Sequence, residues 1–302
     1  MSGAGAALLG RRDLLGLGLA AGSSAALAMP AVAASSAGPV PDGEARLADP
    51  VANMHLVARL LGRTDGQVTF YHARGMMFGM RPGEHARALL GFEGCAARLL
   101  RPLADGSGYA LGLREWLLFR DPGTGAIAES WRNPYTRREG PLPHFRGGGG
   151  MNHRWTVRGQ ERVGHEALAK ELPPQTYAWE FDGDRGVCTI EQFIAFPAYV
   201  TPEQDPVAST GAVRHEIQVR SFAFSRRELF DRRRAFVPVI ETWVMKNDWM
   251  PFMMMGNWSG HHIWRATGRK LERLDALPPA FVAETERRWP GTVAEFAAWT
   301  GR

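Results

Sequence analysis

The chain has 302 residues, with 36 Lys and Arg against 31 Asp and Glu and a formal net charge of +5. That surplus is mild and scattered, the densest groups being Arg226-Arg227 and Arg232-Arg233-Arg234, so no nucleic-acid partner is expected. The two cysteines, Cys95 and Cys188, lack metal-ligand spacing, and the sequence leaves open whether they pair.

The first residues read as an export signal. Arg11-Arg12 precede Leu14-Leu15 and an Ala/Gly/Leu run that ends at the small-x-small pattern Ala31-Val32-Ala33. The order predicts a twin-arginine signal peptide over 1–33, hence a periplasmic protein whose first partner is the twin-arginine export machinery. The alternative is a transmembrane anchor. The run is short of the ~20 apolar residues a span needs, and no other stretch comes closer, so no stable membrane anchor is expected.

Residues 34–50 (ASSAGPVPDGEARLADP) are rich in Pro, Gly, Ser and Ala and read as a linker. A single domain is expected over 51–302. Val51, Met54, Val57, Ala58 and Leu61 have helical spacing, and Asp49-Pro50 supplies an N-cap followed by proline. Beyond this helix the period changes to two. Strands are predicted over 67–73, 92–102 and 109–119, the last turning at DPGTG into 126–131 as a hairpin. Further strands are expected at 152–157, 213–224 and 236–245, with a second hairpin over 177–181 and 187–196. WMPFMMMGNWSGHHIW, from Trp249 to Trp264, reads as two short strands about Gly256-Asn257, and RGGGGMNHR, from Arg146 to Arg154, as a flexible loop. Two short helices follow Pro279. The fold class is therefore mainly β: an antiparallel β-barrel, or strongly curved sandwich, with short flanking helices.

Alternation bears on function. Glu115 shares a strand face with Leu113, Leu117 and Phe119; Glu191 with Val187, Thr189 and Phe193; Glu241 with Val237, Val239, Trp243 and Met245. A solid core rejects a lone carboxylate. Either these faces line a cavity, or each Glu pairs with a buried arginine such as Arg114 or Arg220.

The hairpin EWLLFRDPGTGAIAESWRNPYT, the later WMPFMMMGNWSGHHIWRATGRKL and the leading signal together resemble the domain-of-unknown-function family 1838. The resemblance runs from about Leu47 to Trp299, and Trp131 with Asn133 to Thr136 is its most distinctive piece. Met255-Gly256 and Gly268 to Leu271 also match. One departure follows the NPYT stretch. His144 fits the His expected there, but Phe145 to Met151 replace the expected Asn-Asp-Pro-Val turn. The resemblance implies fold and export, and leaves function open.

Other chemistry is poorly supported. His144 and His153 flank the glycine run and His261-His262 are adjacent, without the HxH or HxxxH spacing of a metal site. There is no nucleophile elbow, P-loop or dinucleotide fingerprint, so no cofactor is expected. Acid–base chemistry remains, with Glu241, Glu115, His144 and Tyr135 as candidate catalytic residues. Arg132, Trp243, Met255, Trp258 and His262 are candidate ligand-binding residues. Within ESWRNPYT, Trp131, Asn133 and Pro134 read as a turn staple, while Tyr135 and Arg132 could instead stand at the mouth of a barrel. The leading expectation is a pocket for a small hydrophobic or aromatic molecule. A cofactor-independent lyase or isomerase, using a Glu with a His or Tyr, is the alternative. A structural envelope protein with a filled interior is the third reading.

Overall fold

The computed structural model describes residues 47–148, 150–151, 153–162, 177–198 and 200–301. The signal peptide, and the linker up to residue 46, lie outside the described residues. Helix α1 (Pro50–Leu61) forms where the sequence placed it. The Asp49 carboxylate accepts from the N–H groups of Val51 (2.8 Å) and Ala52 (3.4 Å), and Pro50 begins the helix without needing a donor. Its far end is held from beneath: Lys270 Nζ donates to the carbonyls of Arg59 and Gly62, each at 2.7 Å.

Two meanders meet in one eleven-stranded sheet, every pairing of which is antiparallel. The first comprises β1 (Thr69–Met80), β2 (Arg87–Pro102) and β3 (Gly108–Arg120). After β4 (Ser130–Arg132) and β5 (Glu139–Pro141), which pair with each other apart from the sheet, β6 (Phe145–Gly148) and β7 (His153–Thr156) both add to β3, and β8 (Gly159–Arg162) pairs with β7. The second runs through β9 (Ala178–Asp182), β10 (Arg185–Pro197), β11 (Val213–Ser225), β12 (Val239–Asn247) and β13 (His261–Leu271). It joins the first where β13 pairs with β1. A short helix α2 (Arg226–Phe230) follows β11, and α3 (Pro279–Arg288) and α4 (Thr292–Ala297) end the chain. Among the described residues the edges β8 and β9 do not pair, so the sheet is curved but not closed into a barrel.

The two faces of the sheet have different neighbours. Outside β1 to β3, Phe70, Ala97, Leu99, Trp116 and Leu118 pack on Phe281, Phe296 and Trp299 of the C-terminal region. The Trp116 indole donates to Thr285 Oγ1 at 3.0 Å, satisfying a polar atom that burial would otherwise strand. Inside, one end is filled by α1, whose Met54, Val57, Ala58 and Leu61 meet Leu100, Leu111, Trp155, Ile190, Phe222 and Val239. Cys95 belongs to the outer cluster and Cys188 to the inner one, so both are free and buried.

Several expected elements are corrected by long-range pairing. The hairpin at DPGTG stops after one bridge, Arg120 to Ile127, because β4 leaves to pair with β5. Trp249 to Gly260 forms no strand; a 3-10 turn over Pro251–Met253 leads instead to Met254 and Gly256, both at positive φ. A side chain on Gly256 would meet the Pro206 carbonyl at 2.9 Å. The glycine run is also less loop-like than expected, since Gly147 and Gly148 pair with Glu115 and Arg114.

Candidate functional site

Alternation along seven neighbouring strands builds one cavity of about 560 Å³. Tyr71 and Ala73 of β1 contribute, as do Gly94, Ala96 and Arg98 of β2 and Leu113, Glu115, Leu117 and Phe119 of β3. Gln192 of β10 is joined by Arg214, Glu216, Gln218 and Arg220 of β11 and by Glu241, Trp243, Met245 and Asn247 of β12. Trp264 and Ala266 of β13 complete the ring. Strands β3 and β10 are separated by five others in the sheet yet line one space, which measures how strongly the sheet curls.

The β11–β12 wall is polar. The Arg220 Nε donates to Glu241 Oε1 at 2.6 Å, and Arg98 Nη2 stands 3.6 Å from Glu241 Oε2. Arg98 also lies over the Tyr71 ring, 3.9 Å from its centroid, while the Tyr71 hydroxyl donates to the Leu60 carbonyl of α1. Burial alone would raise the Glu241 carboxyl; the charges of Arg220 and Arg98, and the hydrogen bond from Arg220, outweigh it and hold the value below the ordinary glutamate range. Further along, Glu216 accepts from Gln218 Nε2 and from Asn247 Nδ2 (3.2 Å), and Arg214 donates to Asn247 Oδ1 (3.1 Å). Trp243 Nε1 donates to Gln218 Oε1 at 3.2 Å, tying an aromatic side chain into this network.

The opposite character prevails on β2, β3 and β13. Phe92 meets Trp264 edge-on at 4.8 Å, and Phe119 lies 5.5 Å from Phe252. Gly94 and Ala96 leave open space between Phe92 and Arg98 on the same strand face. Into this wall projects Glu115. Among the described residues its carboxyl has no hydrogen-bond partner, and burial raises its value above the ordinary range even though Arg98 and Arg220 pull the other way. Burial therefore favours the neutral form of this carboxyl, so it can serve as a hydrogen-bond donor as well as an acceptor.

Glu115, Glu241 and Trp243 thus line the cavity, and the other candidates lie outside its lining. The His144 Nδ1 accepts from the Phe119 N–H at 3.0 Å, and its Nε2 points toward Glu129 at 3.6 Å; burial and Arg288 lower its value. Tyr135 lies against Gly79 and Trp249, with Arg87 5.1 Å from its ring centroid. Arg132 is exposed and donates to the Arg137 carbonyl. Met255 is fully buried beside the turn, and Trp258 is half exposed under Arg81. His262 is buried, accepts from Trp264 Nε1 at 2.7 Å and has its value lowered to about 3, chiefly by burial. Glu191 faces solvent together with Phe193, because Cys188, Ile190 and Gln192 take the inner face of β10. Arg114 turns outward to Glu295 at 3.1 Å.

The NPYT stretch acts as a staple with a longer reach than a local turn. Asn133 Oδ1 accepts from the N–H of Tyr135 (2.8 Å) and of Thr136 (3.4 Å), and its Nδ2 donates to the Met253 carbonyl. Trp131 packs against Phe252. Sequence reasoning missed Arg98, Tyr71, Gln218 and Glu216 as cavity residues. In β11 the apolar residues Val213, Ile217 and Val219 occupy one face and suggest the core side, but the polar face is the one turned inward.

Fold and site together define an open, strongly curved antiparallel sheet wrapped around an amphipathic cavity. The family model for the protein of unknown function DUF1838 matches residues 66–295. The chain belongs to that family. Comparison with curated proteins gave no significant match. Among solved structures, the chain aligns with a candidate AttH from Nitrosomonas europaea at 12% identity, over 72% of this chain and 56% of that one, with a TM-score of 0.20. The chain spans little more than half the length of that protein, and at this score the likeness carries no argument.

Proposed function

We propose that the protein binds, within this cavity, a small molecule with an apolar or aromatic body and one polar group. The observation that carries the reading is the pairing of an aromatic wall with a bare carboxyl, Glu115, in a space of about 560 Å³. A space of that size suits a drug-sized ligand. Filling it with solvent alone would leave Phe92, Phe119, Trp243 and Trp264 against water. The same carboxyl favours a second reading, a cofactor-independent lyase or isomerase. There the proton transfer falls to Glu115, since neither His144 nor Tyr135 lines the cavity. The leader sequence supports a periplasmic, twin-arginine-exported protein. No helix among the described residues is long and apolar enough to cross a membrane.

Native mass spectrometry of the purified chain, set against its denatured mass, tests the binding reading. A reproducible added mass of a few hundred daltons is expected, and its loss on replacing Trp243 with Arg would place it in the cavity. An added mass that Trp243→Arg leaves in place, in a variant that still folds, counts against the cavity. Replacing Arg11-Arg12 with two lysines is expected to keep the protein in the cytoplasm; unchanged periplasmic recovery would sink the export reading.

A further inference from the structure

We infer that the polar group of this ligand is a carboxylate, seated between Arg98, Arg220 and Glu115; the inference rests on the cavity reading above. Four basic side chains are packed at the α1 end of the sheet interior, Arg59, Arg98, Arg220 and Lys270, and burial favours the neutral form of Lys270. Arg59 donates to the carbonyls of Glu228, Asp231 and Arg234, and Lys270 to those of Arg59 and Gly62. Arg98 and Arg220 remain, and they share one carboxylate, Glu241.

The sharing is unequal. Arg220 takes the short contact at 2.6 Å, and Arg98 is left at 3.6 Å from the other oxygen. Among the described residues Arg98 Nη1 and Arg220 Nη2 are buried without a hydrogen-bond partner, and both side chains line the cavity. A guanidinium offers five donors in a planar fork that matches a carboxylate. Burial, and then the neighbouring charge of Arg220, lower the value of Arg98, and the shared Glu241 does not fully offset them. Glu115 does not fill that role, since it forms no ion pair with either arginine. In its neutral form, which burial favours, it would instead donate to the second oxygen of a bound carboxylate. Ala96 and Gly94 then leave a path from Arg98 to Phe92 for the apolar body.

The test compares two probes of matched shape, naphthoate and naphthalenemethanol, by calorimetric titration of the purified chain at neutral pH. Naphthoate is expected to bind at least about tenfold more tightly. In Arg98→Gln the ratio of the two affinities should fall to about one. Arg98→Lys retains the charge and should retain a preference, and serves if the glutamine variant does not fold. Equal binding of both probes by the unaltered chain, or tighter binding of the alcohol, overturns the carboxylate inference and leaves the cavity reading standing. Binding of neither probe overturns both. A preference that survives Arg98→Gln removes Arg98 from the assignment.

Discussion

Glu241 on β12 and Glu115 on β3 line the same cavity, yet they have opposite chemistry. Glu241 is buried with Arg220 at 2.6 Å and Arg98 at 3.6 Å, and its carboxyl is held ionised. Among the described residues Glu115 has no hydrogen-bond partner, and burial favours its neutral form. The difference shows that a carboxylate on an apolar strand face does not by itself mark a base; the partner decides. Glu241 stabilises the curved sheet by tying β12 to β11 and β2. Glu115 is free to meet a ligand. The comparison breaks first at Glu241→Gln. Removing the charge leaves Arg220 buried without its counter-ion, and a loss of about 3–5 kcal/mol in denaturant unfolding is expected. Glu115→Gln should cost far less at neutral pH; equal losses would make both residues structural.

The staple between the walls comes next in size. Asn133→Ala deletes the acceptor for two backbone N–H groups and the donor to the Met253 carbonyl, all at a buried position. About 2 kcal/mol of stability should be lost, measured in the same unfolding experiment. A loss near zero would mean that the turn holds without its long-range contact.

What the sequence showed and what it hid follow from the range of the forces involved. The cap of α1, the β9–β10 hairpin, and Glu115, Glu241 and Trp243 on single strand faces were readable, because each depends on neighbours a few residues away. The reach of Asn133 to Met253 was not, since nothing local encodes a contact 120 residues distant. β11 was misleading in principle. Its inner face carries Arg214, Glu216, Gln218 and Arg220, so the usual rule of apolar residues inside is reversed by the polar lining of the cavity. In β10 both faces carry apolar residues, Cys188 and Ile190 inside and Val187 and Phe193 outside, so alternation alone could not place Glu191. His144 and Tyr135 were placed at the site by their position after the hairpin; Pro143 and Phe145 do line the cavity, but His144 between them accepts from the Phe119 N–H and Tyr135 packs against Gly79 and Trp249.

Acidity sharpens the comparison by giving the two carboxyls opposite signs. The folded value of Glu241 lies below the ordinary 4.5, so its contribution is present above that pH and is lost as pH falls through the lowered value. The folded value of Glu115 lies above 4.5, so its contribution is complete below that pH and is lost as pH rises through the raised value. Measured across the acid and neutral range, the unaltered chain should therefore lose stability relative to Glu115→Gln as pH rises. A constant difference would show that Glu115 titrates alike in the folded and unfolded chain. His262 adds an acid-side loss common to both proteins, beginning below 6.5 and continuing toward its lowered value of about 3.

The smallest effect separates the two faces of the second meander. On β10, Gln192 lines the cavity and Phe193, the next residue, is 75% exposed. With Val213, Ile240 and Val244 it belongs to an apolar outer face that is exposed among the described residues, whereas α3 and α4 cover the corresponding face of β1 to β3. Phe193→Ser removes little that is buried on folding, so stability should change by no more than about 0.5 kcal/mol. Probe binding should stay the same, because the side chain points away from the cavity. A larger loss would mean that this face is covered in solution, and its dependence on protein concentration would distinguish a second copy of the chain from a contact within one molecule.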